Sequence, residues 1–120
     1  METILPWLIW VAFGWFLVQK LSPPKGVSTI TTNEAKARTK DRYTQWIDVR
    51  TPNEYKANHT KPFMNVPLAE LPSRSRELRK DKEVVVICQS GMRSRKAAKI
   101  LKKKGFQKIT NVKGGMAAWR

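Results

Sequence analysis

Apolar positions along the chain fall into three patterns. Ile4 to Val18 is an unbroken run without charge, Ile-Leu-Pro-Trp-Leu-Ile-Trp-Val-Ala-Phe-Gly-Trp-Phe-Leu-Val. Val84-Val85-Val86-Ile87 is a shorter continuous run, which predicts a strand buried on both faces, as central parallel strands are. Ala97, Ala98, Ile100 and Leu101 recur at helical spacing among Arg95, Lys96, Lys99, Lys102 and Lys103. That pattern predicts a helix from Ser94 to about Lys104 with one face inward and Gly105 as its stop.

Weaker signals fill the remainder. Val27 to Ile30, Tyr43 to Val49, Phe63 to Val66 and Lys108 to Asn111 are the other strand candidates. Thr32 or Asn33 can cap a helix running from near Glu34 to about Thr39. Thr51-Pro52-Asn53-Glu54 is a capping box with proline at the first helical position, and its helix should end near Asn58. Leu68 to Leu78 reads as two short helical pieces broken at Pro72, and Gly114-Gly115 opens a terminal turn or helix. Trp46, Met116 and Trp119 are available to a core. Strands alternating with helices predict an α/β domain on a mostly parallel sheet. Sites in such sheets lie beyond the carboxyl ends of strands, and Cys88 directly follows one.

The first run changes the picture of the whole chain. It approaches the ~20 residues that a membrane span needs, and it holds three tryptophans, Trp7, Trp10 and Trp15. Lys20 and Lys25 lie just after it and no basic residue precedes it, so the positive-inside tendency places the C-terminal domain in the cytoplasm. A cleaved signal peptide fits less well, because Glu2 stands where a basic residue is expected and no Ala-x-Ala pattern lies downstream. The expectation is a single-pass cell-membrane protein: a transmembrane helix over residues 1–21, a stiff linker over 22–26, and a domain over 27–120 on the cytoplasmic side.

Charge and cysteine usage narrow the chemistry. The chain carries 24 Lys and Arg against 9 Asp and Glu, a net charge of +15, which attracts anions of any kind. From Ser90 onward there are ten Lys or Arg and no Asp or Glu. Contact with anionic lipid is the sharper reading of that stretch and a solvated helix face the plainer one. Nucleic acid is not expected as a partner, since no aromatic residues interleave with the charges. One Cys and one His exclude an intrachain disulfide and a zinc site of four protein ligands. No metal or cofactor is expected.

Cys88-Gln89-Ser90-Gly91-Met92-Arg93 then reads as a cradle. A thiol between a strand and a helix N-terminus meets backbone N–H groups and the positive end of the helix, both of which favour the thiolate. Gln89, Ser90, Gly91 and Met92 can turn their amides toward the sulfur, Gly91 permits the tight curvature, and Arg93 adds permanent charge. The anion held could be the thiolate, a persulfide on it, or an oxyanion above it.

Four segments together resemble the rhodanese family. They are Ile47-Asp48-Val49-Arg50-Thr51-Pro52-Asn53-Glu54-Tyr55; Asn65-Val66-Pro67-Leu68; Cys88 through Ser94; and Gly105-Phe106 with Val112 through Trp119. The resemblance covers residues 27–120. It implies a rhodanese-like five-stranded parallel sheet with helices on both faces. It also implies transfer of sulfane sulfur from thiosulfate or a persulfide, a small anionic donor, to a thiol acceptor, small molecule or protein, or to cyanide. By resemblance Cys88 carries the sulfur as a persulfide, and Gln89, Ser90, Gly91, Met92 and Arg93 bind it. Asp48, Arg50 and Ser94 support the site. Four residues separate Cys88 from Arg93. Related phosphatases and arsenate reductases have a loop one residue longer, which suits a tetrahedral oxyanion. The chain departs from the family at Asn58-His59-Thr60-Lys61-Pro62-Phe63, where His59 stays but the usual glycines do not. His59 reads as a capping or surface residue. The alternative is a non-catalytic rhodanese-like module that recruits a partner to the membrane.

Overall fold

A computed structural model describes residues 5–21 and 26–119. Its strands are β1 (Val27–Ile30), β2 (Gln45–Asp48), β3 (Met64–Asn65), β4 (Val84–Ile87) and β5 (Ile109–Val112). Its helices are α1 (Leu5–Leu21), α2 (Thr32–Arg38), α3 (Pro52–Ala57), α4 (Leu71–Arg74), α5 (Met92–Lys103) and α6 (Gly115–Ala118), with a 3-10 turn over Ser75–Glu77. The strands form one sheet in the order β1-β5-β4-β2-β3, and every pairing is parallel.

The alternation of side chains along β4 explains its unbroken apolar sequence. Val84 and Val86 pack with Ile47, Val49 and Ile109 against Leu71 of α4 and Ala97, Ala98 and Leu101 of α5. Val85 and Ile87 point the opposite way, to Trp46, Val112, Ala35 of α2 and Met116 of α6. Both faces are covered, so all four β4 residues are fully buried. On the second face Phe63 meets Trp46 and Trp119 edge-on, with ring centroids 5.3 and 5.7 Å apart.

Element ends follow local chemistry, with some shifts from expectation. The cap of α2 is Thr31, not Thr32 or Asn33. Its hydroxyl accepts from the Glu34 amide at 3.1 Å while Glu34 reaches back to the Thr31 N–H at 3.3 Å. Three adjacent cap-type residues leave the register open in the sequence, and only the threonine three before Glu34 completes the box. Thr51 and Glu54 form the expected box at α3. Pro72 lies in the first turn of α4 instead of breaking the segment, because a missing N–H is harmless there. α5 begins two residues earlier than expected, at Met92, with Gly91 at φ +107° before it. It ends as a Schellman motif: the Phe106 amide reaches Leu101 O and the Gly105 amide reaches Lys102 O, both at 3.1 Å. Ser94 joins Ala97, Ala98 and Leu101 on the buried face, while Ile100 is half-buried.

The expected transmembrane helix is corrected. The segment is helical over Leu5–Leu21, but among the described residues no helix is long and apolar enough to cross a membrane. Its 17 residues rise about 25 Å, short of a hydrocarbon core of ~30 Å. Gln19 and Lys20 fall inside its last turn. Residues 6–17 are exposed on all sides. Residues 1–4 and 22–25, the latter most of the expected linker, lie outside the described residues.

Candidate functional site

Strand polarity sets the location of the site. Cys88 follows the central strand β4 at its carboxyl end, and α5 starts four residues later, at Met92. Gly91 makes the turn between them. It has no side-chain cap to offer, so the first amides of α5 are left for another acceptor. That acceptor is sulfur. The Gly91 N–H donates to Cys88 Sγ at 2.9 Å, and Ser94 Oγ lies 3.4 Å from the sulfur.

Cys88 and Ser94 are both fully buried. Burial pushes the thiol up, but the Ser94 hydroxyl and the backbone amides of Ser94, Gly91 and Ser90 outweigh it, so Cys88 is held below the ordinary thiol value. Ser94 Oγ also donates toward Gly91 O at 3.0 Å and toward Asn111 Oδ1 on β5. The thiol therefore sits in a closed polar shell on an apolar sheet.

Two arginines lie around the loop, each tied to a carboxylate. Arg50 is buried and forked onto Asp48, with Nε and Nη2 donating at 2.9–3.1 Å. Its remaining donors reach Gln89 Oε1 at 3.3 Å and Asn58 O. The pair thus ties the loop after Cys88 to the end of α3. Arg93 makes a bidentate contact with Glu54, at 2.6 and 2.8 Å. Arg93 keeps its permanent charge, and its half-exposed guanidinium is bound to that carboxylate. Those two hydrogen bonds, against desolvation and with help from Thr51, hold the Glu54 carboxyl down to about 2.

The other loop side chains face outward. Gln89, Ser90 and Met92 are exposed, Met92 by 73%. None of the three side chains hydrogen-bonds to the sulfur, whose partners are the Gly91 N–H and Ser94 Oγ. Beneath the loop, the Met116 and Ala117 amides donate to Cys88 O and Gln89 O at 2.8 and 2.9 Å. A Cβ on Gly115 would stand 2.2 Å from Cys88 O, so α6 touches the loop backbone only because residue 115 is glycine. His59 is exposed and contacts Tyr55. Its Nδ1 is 2.8 Å from Tyr55 O and its ring stacks on Tyr55 at 4.0 Å. Among the described residues no group of His, Cys, Asp and Glu could hold a metal ion.

A scan against family models matches the rhodanese-like domain over residues 31–120. The chain belongs to the rhodanese-like family. The Bacillus subtilis protein YqhL is 36% identical over 120 residues, covering 99% of this chain and 94% of its own. A protein of Allochromatium vinosum named sulfurtransferase is 36% identical over 73 residues, covering 61% of this chain and 68% of its own. Among solved structures, a rhodanese-like domain protein from Staphylococcus aureus superposes with a TM-score of 0.72 at 30% identity, covering 78% of this chain and 91% of its own. Sulfurtransferases are thus among the relatives of this rhodanese-like chain.

Three residues of this rhodanese-like site are not visible as such in the sequence. Glu54 reads there as wholly engaged in its capping box, although a carboxylate has acceptor capacity left after capping. Asn111 reads only as the end of a strand. Its period-2 position shared with Ile109, on the face that meets α5, is the available signal. Gly115 reads as a turn residue. Nothing local marks its contact with Cys88, 27 positions earlier in the chain.

Proposed function

We propose that this rhodanese-like domain is a sulfurtransferase that moves sulfane sulfur from thiosulfate or a persulfide donor to a thiol or cyanide through a Cys88 persulfide. The observation that carries the reading is the buried sulfur held by loop amides and Ser94, which favours the thiolate. The thiolate attacks the outer sulfur of thiosulfate; a new S–S bond forms, the old one breaks, and sulfite leaves with the electron pair. The outer sulfur of the persulfide then carries the negative charge, inside the loop formed by Gln89, Ser90, Gly91 and Met92. An acceptor thiolate or cyanide attacks that outer sulfur, and Cys88 departs as thiolate. This is covalent catalysis with ping-pong kinetics. Arg93 draws the anionic donor in, in competition with Glu54.

The apolar α1 keeps the domain at a lipid bilayer, on the cytoplasmic side, in this reading. The support is an exposed helix bearing Trp7, Trp10 and Trp15, an amphipathic side chain suited to the membrane interface. The basic exposed face of α5 offers contact to anionic headgroups.

Mass spectrometry after incubation with thiosulfate tests the chemistry. One added sulfur on Cys88, lost in Cys88→Ala, is expected; no adduct and no rate change in Cys88→Ala would end the proposal. Flotation with liposomes, with and without residues 1–25, tests the attachment.

A further inference from the structure

Ser94 Oγ has one proton and three acceptors around it. Gly91 O is 3.0 Å away, Cys88 Sγ is 3.4 Å away, and Asn111 Oδ1 is in close hydrogen-bond contact. Cys88 and Ser94 are fully buried and Asn111 is 5% exposed. The destination of the Ser94 proton is therefore decided by these groups.

We propose that Asn111 is a positioning residue that governs, through Ser94, how readily Cys88 loses its proton. The inference rests on Cys88 being the nucleophile of the proposed sulfur transfer. With Oδ1 toward Ser94, the hydroxyl proton is bonded to the Asn111 amide. The lone pairs of Ser94 then face sulfur and accept from the Cys88 S–H, which stabilises the thiol. When sulfur loses its proton, the hydroxyl turns to the thiolate and gives up Asn111. Hydrogen bonds to charged groups are worth ~1.5–3 kcal/mol, so the turn is favourable, but Asn111 reduces the gain. Asn111 thus restrains the thiolate that the loop amides promote. The hydroxyl can return to Asn111 when charge moves to the outer sulfur of a persulfide.

Other charges near Cys88 are Asp48 at the end of β2, Arg50 just beyond it, Glu54 on α3 and Arg93 on α5. Each carboxylate is paired with an arginine, and among the described residues none of the four hydrogen-bonds to Ser94 or Asn111. β4, β5 and α6 hold no titratable residue.

The full chain has one cysteine, so alkylation by iodoacetamide as a function of pH reports Cys88 alone. Asn111→Leu keeps the branched shape and the number of heavy atoms, though it is bulkier, and removes the acceptor. Its alkylation midpoint should fall by about half a pH unit, roughly threefold more thiolate below the midpoint. Ser94→Ala should raise the midpoint, and adding Asn111→Leu to Ser94→Ala should change nothing further. An unmoved or raised midpoint in Asn111→Leu overturns the inference, as does an equal fall without Ser94. Should Asn111→Leu fail to fold, Asn111→Asp serves. Its charged acceptor grips the Ser94 proton, so the midpoint rises, and the rise shrinks in Ser94→Ala; an equal rise there overturns the inference. These shifts need no sulfur transfer. Their presence without a persulfide would remove the proposed function and leave this role standing.

Discussion

Gly115→Ala should loosen the active loop from beneath. An added Cβ would meet Cys88 O at 2.2 Å and the carbonyl carbon and oxygen of Gln89 at 2.9 Å. Ordinary contact begins near 3.4 Å, so the backbone must retreat by about 1.2 Å. All three atoms are main chain, and no rotamer change relieves them. Retreat stretches the Met116 and Ala117 hydrogen bonds to Cys88 O and Gln89 O, worth about 1 kcal/mol each. Residue 115 also sits at φ +57°, which costs an L-residue roughly 1–2 kcal/mol. The sum is about 3 kcal/mol, or ~10–20 °C in Tm for a domain of this size. The same retreat moves Cys88 relative to the Gly91 amide, so the alkylation midpoint should rise. Urea denaturation and the pH dependence of alkylation read the two effects separately. Gly91→Ala is the control: its Cβ meets nothing nearer than Gly114 N at 3.7 Å, so only backbone strain of roughly 1–2 kcal/mol applies. An unchanged unfolding midpoint and unchanged thiol reactivity in Gly115→Ala would show that α6 does not support the loop.

The ion pairs and caps give further expected outcomes. Asp48→Asn leaves Arg50 charged at 3% side-chain exposure and should cost ~3–5 kcal/mol by urea denaturation; a loss under ~1 kcal/mol would mean the pair is not needed. Glu54 is depressed from 4.5 to about 2, so its contribution is present above about pH 4.5 and is lost as pH falls to about 2. Between those values wild type should lose Tm more steeply than Glu54→Gln, by a modest amount because the pair is half-exposed; parallel curves would count against the pairing. Thr31→Ala removes the α2 capping box and should destabilise by about 1 kcal/mol, with thiol reactivity unaltered.

Signals of short range are legible in the chain alone. Val84 to Ile87 has to be a covered strand, because four consecutive apolar residues on alternating faces need two layers to hide them. The Thr51–Glu54 box, the Gly105 stop and the Cys88–Ser94 loop are likewise readable, since each depends on neighbours within a turn or two. The α/β fold class and the thiol at the helix N-terminus come from those signals. The N-terminal segment shows the limit of composition. Its apolar run predicts a span, while the helix formed by the described residues is too short to be one.

Contacts of long range are set only by packing. Glu54 reaches Arg93, Asn111 reaches Ser94, and α6 reaches Cys88 O, across 39, 17 and 28 positions. No local pattern encodes such a meeting, because a parallel sheet joins strands through crossovers and brings their carboxyl ends together only when all are packed. Local order along the chain is enough to put a thiol at the head of a helix. The folded sheet selects which carboxylate binds Arg93 and which amide contacts Ser94, and it explains why a glycine far along the chain must lie beneath the thiol.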